Sequence, residues 1–189
     1  MNLHRHLTAV SLLLAIPLGA AGCSGARDAA RARITPEYDE GGKLRLLKYD
    51  SNGSGQVDTW SYMDGARVVR IEIDVNGDGK IDRWESYGPD RTLEKVEVST
   101  HRDGTVDRRE YYAQDMLVRA EQDTDGDARP DKWETYDGAR LASVAFDTLH
   151  HGVPDRRLTY DPSGAAKIDV DLVGDGHLLP GAGVRYATK

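Results

Sequence analysis

A single cysteine among 189 residues excludes an intramolecular disulfide, and a single phenylalanine leaves little aromatic mass for a deep core. The chain has no G-x-S-x-G elbow, no H-E-x-x-H and no glycine-rich phosphate loop. Without a signature for nucleophile, zinc hydrolase or nucleotide chemistry, it reads as a non-enzyme with no catalytic residue. The formal charge of -7 argues against nucleic acid and against a polybasic membrane surface. After residue 18 no stretch is apolar enough to cross a bilayer.

The one apolar run, Leu7 to Leu18, follows Arg5 and ends in Ala20-Ala21-Gly22-Cys23, the pattern of a cleaved export signal. Small residues before a lone cysteine resemble a bacterial lipobox. That resemblance implies cleavage after residue 22, lipid on Cys23, and a membrane-anchored lipoprotein of the cell envelope. Residues 23–35 are rich in Ala, Arg, Gly and Asp and read as a flexible tether, which places the folded domain at 36–189.

What remains is one unit written about six times. Taking Asp74 as the first place of a loop, equivalent places fall at Asp50, Asp74, Ser99, Asp123, Asp147 and Asp171, spaced by 24 or 25 residues. A second aspartate recurs at the ninth place as Asp58, Asp82, Asp107, Asp131 and Asp155. Between loops, Val69, Ile71 and Ile73 alternate with polar residues as in a half-buried strand. Asp-Gly turn signals such as Asp64-Gly65 and Asp137-Gly138 punctuate the other end of the unit.

Two strands of about seven residues and two turns account for the period without a helix. The expected fold is all-β: an antiparallel meander of about six 24-residue hairpins in a single twisted or curled sheet, open or tending to a barrel. Strands are expected at Val57 to Tyr62, Arg67 to Ile73, Ile81 to Tyr87, Leu93 to Val98 and Val106 to Tyr112. Trp60, Trp84 and Trp133 recur at the repeat period and read as cross-strand packing. His150, His151 and His177 lack the spacing of a facial metal pair and read as turn residues.

Asp74 to Glu85 carries the spacing of an EF-hand loop, with oxygens at places one, three, five and nine, Gly79 at six and Glu85 at twelve. The expected calcium ligands are Asp74, Asn76, Asp78, the Lys80 carbonyl and Asp82. Glu85 falls on the opposite face if the chain is extended there and is expected to be left out. Asp123, Asp125, Asp127 and Asp131 form a second candidate set, with Glu134 in the same doubtful place as Glu85. Asp50, Asn52, Ser54 and Asp58 form a third. One to three Ca2+ ions are therefore expected, although Asn-Gly and Asp-Gly pairs are also favoured metal-free turns.

These loops resemble the calcium-binding aspartate-rich repeats of EF-hand, dockerin and thrombospondin type 3 proteins, here on a lipoprotein. The Tyr-Asp-x-x-Gly turns are similar to YD and variant MORN repeats. The resemblance implies a non-enzymatic envelope lipoprotein with a spacer or adhesion role. Its expected partners are the membrane, through Cys23, and an unknown envelope or surface protein. A metal-free protein-interaction module is the alternative.

Overall fold

The computed structural model describes residues 31–171 and 173–181. Thirteen strands follow one another in space in chain order, β1 to β13, as one antiparallel sheet. They are β1 (Ile34–Tyr38), β2 (Leu44–Tyr49), β3 (Thr59–Asp64), β4 (Arg67–Ile73), β5 (Arg83–Tyr87), β6 (Leu93–Val98), β7 (Arg108–Ala113), β8 (Met116–Gln122), β9 (Lys132–Asp137), β10 (Arg140–Phe146), β11 (Arg156–Tyr160), β12 (Ala166–Val170) and β13 (Leu179–Pro180). β1 and β13 do not pair with each other, so the sheet is open and not a barrel. Strand pairing begins at Ile34, two residues before the expected start of the domain at 36. Cys23 and the export signal lie outside the described residues.

Odd strands after the acidic loops begin two residues later than the alternation suggests, at Thr59, Arg83 and Arg108. The cause is the ninth-place aspartate. Its amide still closes onto the residue before the loop, as Asp82 N does onto Ile73 O at 2.9 Å, but its carboxylate turns back into the loop. Turns therefore segregate. The tight hairpins, including Gln114-Asp115 with both φ positive, lie at one end of the sheet. The six acidic loops lie at the other, on every second connection, so that neighbouring loops stand about 10 Å apart.

The two faces are written by the register. On one face, Ile71, Glu85, Val96, Glu110, Ala120, Glu134, Val144 and Leu158 form a cross-strand row. Val96 and Ala120 are almost completely buried, although only a single layer exists. Long side chains lie over the aliphatic residues and keep their charged ends paired. Arg83 Nε donates to Glu85 Oε1 at 2.8 Å and Tyr87 OH to Glu85 Oε2 at 2.6 Å. The motif recurs one repeat on, where Arg108 donates to both Glu110 and Glu134, and Tyr112 and Tyr136 cap those carboxylates.

Edge strand β1 carries Pro36. Since Asp50 N bonds Arg33 O, the register turns alternate residues, Pro36 among them, away from β2. A proline on an outward edge position removes a donor that another strand would use.

Candidate functional site

Most of the buried polar residues belong to the acidic loops: Asp50, Asp58, Asp74, Asp82, Ser99, Asp107, Asp131, Asp147, Asp155 and Asp171. Each loop is its own small polar core. In the first, second, fourth and last loops the first-place carboxylate reaches across to amides at places four and six; in the fifth, Asp147 accepts from His151 N and Gly152 N, and in the third Ser99 Oγ accepts from Asp103 N. Asp74 accepts from Gly77 N at 2.7 Å and Gly79 N at 2.8 Å, and Asp123 accepts from Gly126 N and Ala128 N at the same distances. Burial alone would push the Asp123 carboxyl up, but those two amides outweigh it and hold the group below the usual carboxylate range. The amides of Gly126 in that loop and of Gly174 and Gly176 in the last act alike on Asp123 and Asp171.

This crossing requires left-handed backbone at both places. Gly77 and Gly79 take φ of 77° and 88° at no steric cost. Arg102 and His150 take 56° at the fourth place of the third and fifth loops, and Ala128 takes 68° at the sixth place of the fourth. The turn thus survives where glycine has been lost.

Third-place and fifth-place side chains make the next ring. Asn76 Oδ1 accepts from Asp78 N, and Asp78 Oδ1 from Lys80 N at 2.9 Å. In the first loop Asn52 Oδ1 accepts from Ser54 N and Ser54 Oγ from Gln56 N. In the fourth, Asp125 and Asp127 repeat the pattern, and oxygens of Asp123, Asp125 and Asp131 lie within 4.8 Å of one another. Each carboxylate oxygen has two lone pairs, so one amide bond leaves room for a cation.

The ninth-place aspartate closes the loop through a contact that spacing did not reveal. A Ser or Thr at the second place donates both its amide and its hydroxyl: Ser51 to Asp58, Thr100 to Asp107, Thr124 to Asp131 and Thr148 to Asp155. The signal was present in the sequence as a hydroxyl recurring beside the first aspartate. The second loop breaks it with Val75. Val75 N donates to Asp82 Oδ2 at 3.1 Å, and among the described residues Asp82 Oδ1 has no hydrogen-bond partner although the residue is 1% exposed.

Glu85 and Glu134 lie in strands, bound to the Arg, Lys and Tyr side chains of the covered face, and not in the loops. Among the described residues only Asp123, Asp125 and Asp131 bring carboxylate oxygens to one point; Asp74, Asp78 and Asp82 share a loop without converging in this way, and Glu85 lies outside it. In the third loop His101 stands at the third place and approaches Asp107 Oδ2 at 2.8 Å, filling the position of an oxygen ligand. Neighbouring loops also touch: Asn76 Nδ2 donates to Arg102 O, and His150 Nδ1 lies 2.8 Å from Asp125 Oδ2.

No protein-family pattern matches the chain, and no curated protein matches it. Among solved structures it is similar to a chain of the crystal structure of accessory secretory protein 1,2 and 3 in Streptococcus pneumoniae, at 9% identity and a TM-score of 0.32. The match covers 78% of this chain and 21% of that one.

Proposed function

We propose that the chain is an exported, lipid-anchored, non-enzymatic envelope protein whose acidic sheet end binds calcium, with the sheet serving as a spacer or adhesion surface. One observation carries the metal reading: the Asp82 carboxylate is buried in the Asp74–Asp82 loop with one oxygen unpartnered. A buried charged oxygen left without a donor is costly, and a hard cation is the partner that Asp82 with Asp74, Asn76 and Asp78 of the same loop suits. The fourth loop offers the second site through Asp123, Asp125 and Asp131, with Asp127 beside them. The first loop, with Asp50, Asn52, Ser54 and Asp58, offers a third. Outside the cytoplasm, affinity in the millimolar range suffices.

Calorimetric titration of calcium into the chelator-treated chain is expected to saturate at one to three sites. The metal-free interaction module is favoured by the loops being already closed by their own amides, as Asp74 is by Gly77 and Gly79. Absence of saturable heat would establish that second reading instead. The anchor rests on Cys23 and is tested by metabolic labelling with a fatty acid, which Cys23→Ser should abolish. Among the described residues no helix is long and apolar enough to cross a membrane.

A further inference from the structure

The three candidate calcium loops differ in how many donors reach the buried ninth-place carboxylate. Asp58 has three: the Ser51 amide at 3.0 Å, the Ser51 hydroxyl at 2.7 Å and the Thr59 hydroxyl at 2.8 Å. Asp131 has two, both from Thr124, whose amide lies 2.9 Å from Oδ2 and whose hydroxyl lies 2.8 Å from Oδ1 and 2.9 Å from Oδ2. Asp82 has one, the Val75 amide on Oδ2, and its Oδ1 is without a partner among the described residues at 1% exposure of the side chain's residue. The first place does not share in this difference. Asp50, Asp74 and Asp123 each accept from the amides at places four and six.

From this series we infer that the second-place residue sets the order in which the loops take calcium: the Val75 loop first, the Thr124 loop next and the Ser51 loop last. The inference rests on the calcium reading of these loops and adds their ranking. Carboxylate count alone gives a different order, because the fourth loop has Asp123, Asp125, Asp127 and Asp131 where the second has Asp74, Asn76, Asp78 and Asp82. Two contacts act against the fourth loop. Its additional carboxylate, Asp125, is already met by His150 Nδ1 at 2.8 Å. Its ninth-place carboxylate is held by Thr124, so an ion at Asp131 must share or displace a donor on a buried charged oxygen, and such hydrogen bonds are stronger than neutral ones. At Asp82 the ion displaces nothing from Oδ1 and satisfies an oxygen that the fold leaves bare. Val and Thr are both β-branched, so exchanging them acts through the hydroxyl and keeps the second-place amide as a donor.

The test is calcium calorimetry on the chelator-treated natural chain and on Thr124→Val, Thr148→Val and Val75→Thr. Thr124→Val should tighten calcium at the fourth loop by about tenfold, since one hydrogen bond to a charged group no longer opposes binding. Thr148→Val removes the same kind of hydroxyl bond, to Asp155, from a loop with Leu149 and His151 at places three and five, and should leave calcium binding unchanged. A hydroxyl that served the fold alone would not separate these two variants. Val75→Thr adds a donor instead of removing one, so it decides the ranking even if Thr124→Val unfolds; the tightest site should weaken by about tenfold. Unchanged or weaker binding in a folded Thr124→Val overturns the inference. So does an equal gain in Thr148→Val, or an unchanged tightest site in Val75→Thr. Calcium heat that saturates in the natural chain but ignores these exchanges overturns the ranking alone, whereas no calcium heat in any chain overturns the calcium reading and the ranking with it.

Discussion

The amide of Val75 reaches Asp82 Oδ2 at 3.1 Å, and no donor among the described residues reaches Asp82 Oδ1. In four sister loops a Ser or Thr hydroxyl supplies what Val75 lacks. Val75→Thr should therefore stabilise the metal-free chain by about 1 kcal/mol, the usual net value of one hydrogen bond. It should also weaken calcium binding at this loop, because the oxygen is then occupied. Urea unfolding in chelator together with calcium calorimetry checks both. A gain in stability with unchanged calcium heat would separate the orphaned oxygen from any metal.

Ala128 holds φ at 68° at a place where all five other loops use glycine at 83° to 88°. A Cβ in that region costs roughly 1–2 kcal/mol, offset in part by the extra freedom glycine gives the unfolded chain. Ala128→Gly should thus raise stability by about 0.5–1 kcal/mol, measured by denaturant midpoint. A loss of stability would mean that the methyl group makes a contact worth more than the strain.

Glu134 is largely buried beneath Arg108, Lys132 and Tyr136, and its carboxyl lies below the usual range: burial pushes it up, while Lys132, Arg108 and Tyr136 pull it further down. Replacement by Gln should cost about 1–3 kcal/mol, because Arg108 loses a charged partner in a part-buried place. The number of calcium ions bound should not change. A lost calcium equivalent would restore the twelfth-place ligand of an EF-hand.

The Tyr87 and Tyr112 phenols are pushed up to about 12, first by burial and then by the Glu85 and Glu110 carboxylates they cap. The folded state holds these protons more tightly than the unfolded chain, whose phenols titrate near 10. Their stabilising contribution is complete below about pH 10 and is lost as pH rises through about 12. Ultraviolet titration should show these two ionising after the ordinary tyrosines. Tyr87→Phe with Tyr112→Phe should flatten the fall in stability between those limits, and an unchanged slope would place the alkaline weakness elsewhere.

Much of the fold was legible because the period of 24 and the alternation at Val69, Ile71 and Ile73 each describe a backbone repeat. The strand starts were not, since alternation continues through Ile81 and Asp82 while the Asp82 carboxylate is drawn into the loop. Carboxylate spacing located the six loops and separated Glu85 from them, because a strand sends residues three apart to opposite faces. The Thr124–Asp131 type of closure joins residues seven apart and looks like composition until the loop is folded.

The most direct measurement of calcium binding is the thermal midpoint of the purified chain in chelator and in millimolar calcium, compared with Asp82→Asn. A ligand that binds only the folded state must raise its stability. The midpoint of the natural chain should rise with calcium concentration, and the rise should shrink in Asp82→Asn. An unchanged midpoint in the natural chain contradicts calcium binding and leaves the acidic loops as turns.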